Sequence, residues 1–344
     1  MLDPVRPAAE ARLPLVTLYL SERCNSRCIS CDYWRHGRQD LDLATVHALL
    51  PQLGSLGTET VLLSGGEPLV HPQWLEIAEL LRGAGLRLWL LTSGLSLAKH
   101  ARAAAQLFDS VTVSLDGTDA ATYAAIRGLD AFENVCSGIR AAATAGAAVG
   151  VRVTVQRRNF RQLPRFVTLA GELGARQVSF LAVDVANPHA FARRDGALTD
   201  LALTPAEVPE LEQIVAGLER GSAALFRTRF IAESPRRLRH LVRYFAAVCG
   251  AGQYPPVRCN APEFSAVIDA HGQVSPCFFI RGPAEAQLAR SGLAQALGSR
   301  AARLQRQQIR AGAAPECRTC VCSLWREPAA QPAPVRLLPE AAHV

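Results

Sequence analysis

The chain has 344 residues, of which 49% are hydrophobic and 19% charged. This length predicts one large domain or two of ordinary size, and the apolar content excludes a mainly disordered protein. No stretch approaches the run of about 18 apolar residues that a transmembrane helix needs, and the N-terminal residues lack the apolar core of a signal peptide. We therefore expect a cytoplasmic protein whose ten cysteines are reduced thiols, suited to metal binding.

The net charge of +7 comes almost entirely from arginine, and Lys99 is the only lysine. The densest arginine runs, at 236–243 and 303–310, both fall on predicted helices. A solvated helix face explains such runs better than a binding site for an anionic partner. We therefore expect neither a nucleic-acid partner nor a membrane partner.

Short β-rich runs alternate with helical patterns over the first two-thirds of the chain. The predicted strands are Leu15–Leu20, Thr60–Ser64, Leu86–Thr92, Ser110–Leu115, Val149–Val155 and Gln177–Ala182. The predicted helices are Leu43–Leu53, Trp74–Gly83, Leu97–Leu107, Ala131–Ala145 and Leu163–Leu173. This alternation predicts a parallel sheet with right-handed crossovers. Six units are too few for a closed eight-stranded barrel, so we expect a partial barrel or an open doubly wound sheet, with ligands at the carboxyl ends of the strands.

The pattern changes after about residue 225. Helical sequence runs to Val248, and the chain beyond it is loop-rich and punctuated by cysteines. Two β-rich runs, Ser265–Ile268 and Gln273–Val274, flank a turn that ends at Gly272, which predicts a small hairpin. A helix is predicted over Leu293–Ile309. We expect an N-terminal tail over 1–12, a βα domain over 13–225, a small α+β domain over 226–328 and a C-terminal tail over 329–344.

The first predicted strand runs into a cysteine motif, Cys24-Asn-Ser-Arg-Cys28-Ile-Ser-Cys31. Three thiolates within eight residues of loop can hold three corners of an iron–sulfur cubane. The next cysteine is Cys136, so no fourth ligand lies nearby and one iron stays open for a substrate or cofactor. A structural zinc site is the alternative, although such sites usually show paired CxxC motifs and four ligands.

Further motifs follow the second, third and fourth predicted strands. They are Leu63-Ser-Gly-Gly-Glu-Pro-Leu69, Thr92-Ser93-Gly94, Val113-Ser-Leu-Asp-Gly117 and, a little later, Tyr123-Ala-Ala-Ile-Arg-Gly128. Paired glycines allow a close backbone approach, and the Glu67 carboxylate can accept a charge-assisted bond from an ammonium group. The cysteine motif and these turns, in this order, resemble the signature of the radical S-adenosylmethionine (SAM) superfamily.

The resemblance implies a partial (βα)6 TIM-like barrel whose first 4Fe–4S cluster binds SAM through the open iron. One electron from the cluster then cleaves SAM to a 5′-deoxyadenosyl radical, which abstracts hydrogen from the substrate. A flavodoxin- or ferredoxin-type electron donor is also implied. The implied SAM contacts are Gly65, Gly66, Glu67, Ser93, Ser114, Asp116 and Arg127.

Within this set, the resemblance implies that Glu67 binds the SAM ammonium and that Arg127 is the candidate partner of the carboxylate. Asp116 would help to hold the ribose or its loop, and its alternative role is to cap the next helix. Two positions depart from the family pattern. Ser30 replaces a bulky or aromatic residue near the adenine, so Tyr33 or Trp34 takes over that packing or lies in the core. Ser93 stands where Asn is commoner.

A second cysteine group follows in the C-terminal third. Cys259, Gly272 and Cys277 have the spacing C-x12-G-x4-C, which resembles the auxiliary-cluster half-motif of the SPASM/twitch radical SAM subfamily. A hairpin that turns at Gly272 brings both thiols to one end. Together with the CxxC of Cys317 and Cys320, the resemblance implies four ligands for one auxiliary 4Fe–4S cluster.

Three cysteines lack firm roles. Cys322 or Cys249 is the alternative ligand of the auxiliary cluster, and zinc is the alternative metal at this second site. Cys136 falls in an apolar helical pattern and is predicted to be a small core residue.

Two clusters favour a net oxidation, because the second one can accept an electron from the substrate. Too few residues precede Cys24 for a leader-binding module, so a small-molecule or natural-product substrate is favoured over a peptide. The alternatives are a peptide maturase that forms a crosslink or thioether with a separate leader-binding partner, the GTP-cyclising branch, and a non-enzymatic electron-transfer or sensor protein. No general acid or base stands out. Arg152, Thr154 and Asn159 face the barrel mouth if the predicted strand register is right.

Overall fold

A computed structural model describes residues 12–187, 190–193 and 198–327. The strands of this part of the chain are β1 Leu15–Ser21, β2 Thr60–Gly65, β3 Arg87–Thr92, β4 Ser110–Ser114, β5 Val149–Val155, β6 Gln177–Ala182, β7 Ser265–Ile268 and β8 Val274–Ser275. They form one sheet in the order β6-β5-β4-β3-β2-β1-β7-β8. Apart from Arg12, the predicted tails at 1–12 and 329–344 lie outside the described residues.

The helices in the same ranges are α1 Tyr33–His36, α2 Leu43–Ser55, α3 Trp74–Gly83, α4 Leu97–Leu107, α5 Ala120–Arg127, α6 Phe132–Thr144, α7 Leu163–Glu172, α8 Val208–Gly221, α9 Ala223–Arg227, α10 Pro235–Val248, α11 Ala261–Phe264, α12 Leu288–Gly298, α13 Arg300–Arg310 and α14 Pro315–Arg318. The six strands and five helices predicted up to residue 182 are confirmed, with ends that differ by at most two residues. No helix among the described residues is both long and apolar enough to cross a membrane.

The single helix predicted over Leu293–Ile309 is wrong. Two helices, α12 and α13, share this stretch, and Ser299 between them has extended backbone with ψ 151°. Its hydroxyl accepts a bond from Ala302 N over 3.2 Å, so Ser299 acts as the N-cap that starts the second helix. No helix was expected at α5. It begins after Asp119, whose carboxylate accepts from Thr122 N over 2.8 Å.

Strands β1 to β6 follow one another across the sheet, and each neighbouring pair is parallel. A doubly wound sheet reverses its strand order at a switch point, and none of these six strands does so. The partial-barrel expectation is therefore confirmed. One face of the sheet, which includes Val16, Leu63 and Val113, is buried in the main hydrophobic core. We call the opposite face the inner face, and its strand residues include Leu15, Leu62, Trp89, Ser114, Arg152 and Ser179.

The C-terminal hairpin extends this sheet beyond β1. Strand β7 pairs with β1 in parallel and with β8 antiparallel, so the predicted hairpin is confirmed, with its second strand at Val274–Ser275. Ala261 and Phe264 pack against Leu15 and Leu62 of the inner face. The cysteine-rich C-terminal region therefore lies against the inside of the barrel.

Candidate functional site

The Cys24–Cys31 loop leaves the carboxyl end of β1, and the turn after β2 holds its first part. Gly66 N donates to Ser21 O over 2.7 Å. A Cβ atom on Gly65 would lie 2.4 Å from Ser21 O, and one on Gly66 would lie 2.4 Å from Arg23 O. The backbone of the cysteine loop thus fills the space that these glycines leave open, and only glycine permits so close an approach.

The end of α5 holds the second part of the loop. Arg27 N donates to Arg127 O over 2.9 Å, and Ile29 N donates to Ile126 O over 3.0 Å. Gly128 ends the helix with φ +73°, and a Cβ atom there would lie 2.3 Å from Arg27 O. The Tyr123–Gly128 motif therefore has a direct structural role, because its last turn fixes the loop on both sides of the second cysteine, Cys28.

Cys24, Cys28 and Cys31 are half-buried and free. Burial raises the pKa of Cys24 and of Cys31 to about 12, and it also raises the pKa of Cys28. Within the described residues, no three Cys, His, Asp or Glu side chains converge where a single metal ion could bind. The three sulfurs are the soft donor type that iron–sulfur clusters and zinc accept.

Two aromatic residues support this loop. Trp34 Nε1 donates to Cys28 O over 3.2 Å. The ring of Tyr33 packs edge-on against Tyr19, with centroids 6.1 Å apart. Trp34 therefore stabilises the cysteine loop through its backbone.

Glu67 is the centre of a hydrogen-bond network at the ends of β2 and β3. Its side chain is fully buried, and its Oε1 accepts from Thr92 Oγ1 over 2.8 Å and from Leu69 N over 3.1 Å. Its Oε2 accepts from Ser93 N over 2.6 Å, and Ser93 Oγ donates to Asn25 Oδ1 over 3.0 Å. Burial raises the pKa of Glu67, and the bonds from Ser93 and Thr92 oppose that shift. The sequence analysis did not identify Asn25 as a site residue, although its position between the first two cysteines indicates that it lies in the site.

Asp116 joins three elements at the ends of β4 and β5. Its Oδ2 accepts from Arg127 Nη1 over 3.1 Å, and its Oδ1 accepts from Thr154 N over 2.7 Å. The Asn159 amide is fully buried and donates to Asp116 O and to Thr154 O, each over 3.0 Å, so it links the carboxyl ends of β4 and β5. The helix-capping alternative for Asp116 is wrong, because Asp119 caps α5.

Arg127 retains one buried donor without a partner. Among the described residues, nothing bonds its Nε. Burial disfavours the charge, yet Cys28 and Asp116 nearby raise the pKa of the guanidinium. A buried, unpaired, cationic nitrogen beside the thiols fits an anionic ligand group bound at this point.

Five cysteines from the C-terminal region line one apolar pocket: Cys259, Cys277, Cys317, Cys320 and Cys322. Burial raises the pKa of Cys277 to about 12. Of the two alternative ligands, Cys322 lies in this pocket and Cys249 does not. Cys249 ends α10, and its Sγ donates to Leu203 O over 3.1 Å. Cys136 is 1% exposed within α6, so its assignment to the core is confirmed.

The segment after β6 joins the two cysteine regions. Arg193 Nε donates to Ser30 O over 3.2 Å, within the first cysteine loop. The Asn187 amide donates to Phe279 O over 2.8 Å, close to Cys277. No motif in the sequence signals this connection, because it depends on where the loop folds back.

Known proteins resemble this chain over its barrel region. Residues 18–170 match the family model described as the Radical SAM superfamily. AdoMet-dependent heme synthase of Methanosarcina barkeri is 34% identical over 169 residues, which cover 47% of this chain and 48% of that protein. Mycofactocin maturase MftC of Mycobacterium tuberculosis is 31% identical over 165 residues, which cover 46% and 42%. The chain spans about half the length of these curated relatives.

Solved structures share the fold over more of the chain. Streptococcus suis SuiB, in a structure bound to precursor peptide SuiA, superposes with a TM-score of 0.57 at 13% identity and covers 78% of this chain and 60% of its own. The anSMEcpe structure with bound AdoMet superposes with a TM-score of 0.63 at 15% identity and covers 85% and 83%. The family match spans the cysteine loop and the turns that hold it, so residues 18–170 of this chain are similar to the radical SAM superfamily.

Proposed function

We propose that this enzyme binds a 4Fe–4S cluster on Cys24, Cys28 and Cys31 and binds SAM at the open iron. When bound, the cluster supplies the electron that cleaves SAM, and the resulting radical takes hydrogen from the substrate. The observation that carries the proposal is the double anchoring of the cysteine loop. The turn that holds one side carries Glu67, and the helix end that holds the other side carries Arg127. The thiols and the two charged groups are thus held as one unit.

The residues around the loop fit the charges of SAM. Glu67 is a buried carboxylate and suits the ammonium, and the unpaired Nε of Arg127 suits the carboxylate. Asp116 orients Arg127 through their hydrogen bond. The remaining proposed contacts lie at the same strand ends: Gly65, Gly66, Ser93 and Ser114.

The second cysteine group is proposed to bind an auxiliary 4Fe–4S cluster through Cys259, Cys277, Cys317 and Cys320. The support is their common pocket, which adjoins the inner face of the barrel. Such a cluster supplies an electron acceptor, which favours net oxidation of the substrate. We also propose a domain division at about residue 225, with the cluster region over 226–328, of which residue 328 lies outside the described part of the chain.

A small-molecule or natural-product intermediate is the proposed substrate, and a flavodoxin- or ferredoxin-type protein is the proposed electron donor. Relatives named as heme and pre-heme d1 synthases support a non-peptide substrate. The second candidate is peptide maturation, which the name of mycofactocin maturase and the precursor peptide bound to SuiB favour. A polar inner face over β4 to β6 is compatible with both substrates.

Anaerobic reconstitution tests the proposal. The reconstituted chain is incubated with SAM and dithionite, and 5′-deoxyadenosine is measured by mass spectrometry together with the iron, sulfide and zinc content. Formation of 5′-deoxyadenosine by the parent chain, and its loss in Cys28→Ala, supports the proposal. Bound iron without 5′-deoxyadenosine would favour the electron-transfer or sensor alternative, and bound zinc would overturn the cluster assignment.

A further inference from the structure

A polar row crosses the inner face at β4, β5 and β6. The strand register pairs Ser114 with Arg152, and Arg152 with Ser179, so these three residues lie side by side on one face. The same face is apolar on the other side of the barrel, at Leu62 and Trp89. Arg152 is half-buried in the middle of the polar row. A charged residue there is unusual for a packed barrel interior and indicates a ligand-binding surface.

One hydrogen bond holds Arg152 in place. Its Nε donates to Ser179 Oγ over 2.6 Å, and Ser179 is 1% exposed. In the described chain, the guanidinium makes no other hydrogen bond and no ion pair within 4.0 Å. Its two Nη nitrogens, which form the fork that matches a carboxylate, are therefore available to a ligand.

Glu233 approaches Arg152 from the open edge of the barrel. The chain before it runs beside β6, where Val178 N donates to Phe230 O over 2.7 Å. Glu233 Oε2 accepts from Phe180 N over 3.0 Å, which fixes the carboxylate next to β6. Ser179, which holds Arg152, and Phe180, which holds Glu233, are adjacent residues of β6, so the two charged groups lie close together. Burial raises the pKa of Glu233, and the charges of Arg152 and Arg237 oppose that shift.

Arg152 and Glu233 are close but do not form a contact pair. Two opposite charges without another binding partner would form a direct ion pair, because such a pair best compensates the desolvation of both groups. Here Arg152 donates to Ser179 and Glu233 accepts from Phe180, so each charged group is bonded to its own neighbour on β6. The arrangement leaves a cation and an anion side by side without a bond between them. A ligand with a carboxylate and an ammonium satisfies both, whereas a phosphate would be repelled by the carboxylate.

This pair lies on the side of the auxiliary cysteines. Glu233 lies just before α10, which begins at Pro235. Arg237 donates to Ser323 O over 3.5 Å and ties the end of the cysteine motif to α10. The proposed SAM contacts Glu67 and Arg127 instead surround the first cysteine loop. The charge pair is therefore a separate feature from the SAM contacts.

We infer that Arg152 and Glu233 bind an α-amino-acid group of the substrate, with its carboxylate on Arg152 and its ammonium on Glu233. The inference rests on the proposed function, because it makes this pair the substrate subsite of that reaction. Both contacts are charge-assisted hydrogen bonds, and the separation of the two residues selects ligands that carry both charges.

Arginine labelling tests the inference without relying on turnover. The reconstituted full-length chain, saturated with SAM, is treated with phenylglyoxal, and labelling of Arg152 is measured by peptide mass spectrometry. The probes are a mixture of free L-amino acids, the same amino acids N-acetylated, and the same amino acids as amides. We expect free amino acids to protect Arg152, with the N-acetyl and amide forms about tenfold to hundredfold weaker, the factor for one lost charged hydrogen bond. Arg165, in an exposed pair with Glu172, serves as the internal control.

Three results would overturn the inference. They are no protection by any probe, equal protection by the free and N-acetylated amino acids, and, in comparison with a SAM-free sample, protection by SAM alone. In Glu233→Gln, we expect the free and N-acetylated forms to become equivalent. If that variant fails to fold, the comparison of probes on the parent chain still decides. Measurement of 5′-deoxyadenosine in the same samples separates this outcome from the proposed function, because SAM cleavage without amino-acid protection refutes only the subsite.

Discussion

Arg127 Nη1 donates to Asp116 Oδ2 over 3.1 Å, and both residues are buried. The pair joins the last turn of α5 to the carboxyl end of β4. The same turn bonds the cysteine loop through the backbone of Ile126 and Arg127. The position of the loop therefore depends on a buried charge pair that lies outside the cysteine motif.

Removing one partner of this pair should destabilise the protein strongly. Arg127→Ala leaves Asp116 buried without its counter-charge, and we expect the free energy of unfolding to fall by about 3–5 kcal/mol. Denaturant unfolding measures the change. Arg165→Ala removes an exposed ion pair with Glu172, which solvent screens, and should leave the free energy of unfolding nearly unchanged. Equal losses in the two variants would contradict a structural role for the buried pair.

Gly128 should be intolerant of any side chain. Gly128→Ala places a Cβ atom 2.3 Å from Arg27 O and also strains a residue with φ +73°, so we expect both lower stability and loss of the first cluster. Gly85→Ala is the matched control, because its φ is +81° and no atom lies within 4 Å of its Cβ. The control should cost only the backbone strain, about 1–2 kcal/mol, with unchanged iron content. Iron analysis and thermal unfolding of both variants distinguish the two effects.

Iron content should divide between the two cysteine groups. Two 4Fe–4S clusters predict about eight irons per chain, and Cys28→Ala should reduce this to about four and abolish 5′-deoxyadenosine formation. Cys249→Ala is the control, because its thiol lies outside the cysteine pocket and bonds Leu203 O. A loss of iron in Cys249→Ala comparable to that in Cys28→Ala would refute this division.

The pocket of five cysteines predicts different roles for Cys277 and Cys322. Cys277→Ala should lose about four irons while retaining some SAM cleavage, because the first cluster stays intact. Cys322→Ala should retain the iron, since Cys259, Cys277, Cys317 and Cys320 already supply four ligands. Mössbauer or EPR spectra of both variants identify which cluster is lost. Loss of the auxiliary signal in Cys322→Ala would make Cys322 the ligand in place of one of the four.

Cluster loading should be stronger at higher pH. Burial raises the pKa of Cys24 and of Cys31 to about 12, so both thiols hold their protons at neutral pH in the metal-free chain. Because the metal binds thiolate, loading must release these protons, and the apparent affinity rises with pH and falls as the solution is acidified. Anaerobic iron titrations between about pH 6 and pH 9, with proton release followed by an indicator, measure the slope. An affinity independent of pH would contradict the protonated state of these thiols.

The local features of this protein follow from its sequence. Strands β1 to β6 and the helices between them have clear hydrophobic patterns, and the Cys24–Cys31 spacing is a contiguous motif. The break at Ser299 escapes prediction because the helical pattern continues on both sides of it. The hydrophobic patterns and the cysteine motif can be recognised because they involve residues only a few positions apart. The same short-range patterns do not show the break at Ser299.

The sequence by itself determined which segments form the barrel strands and which three thiols begin the site, because both depend on residue type at short spacing. The tertiary structure alone decided that Gly65 and Gly66 admit the cysteine loop, that Cys322 and not Cys249 joins the second pocket, and that Glu233 and Arg152 bond adjacent residues of β6. Each of these relationships joins residues far apart in the chain. No local pattern encodes them, since they arise only when the sheet brings its strand ends and its open edge together.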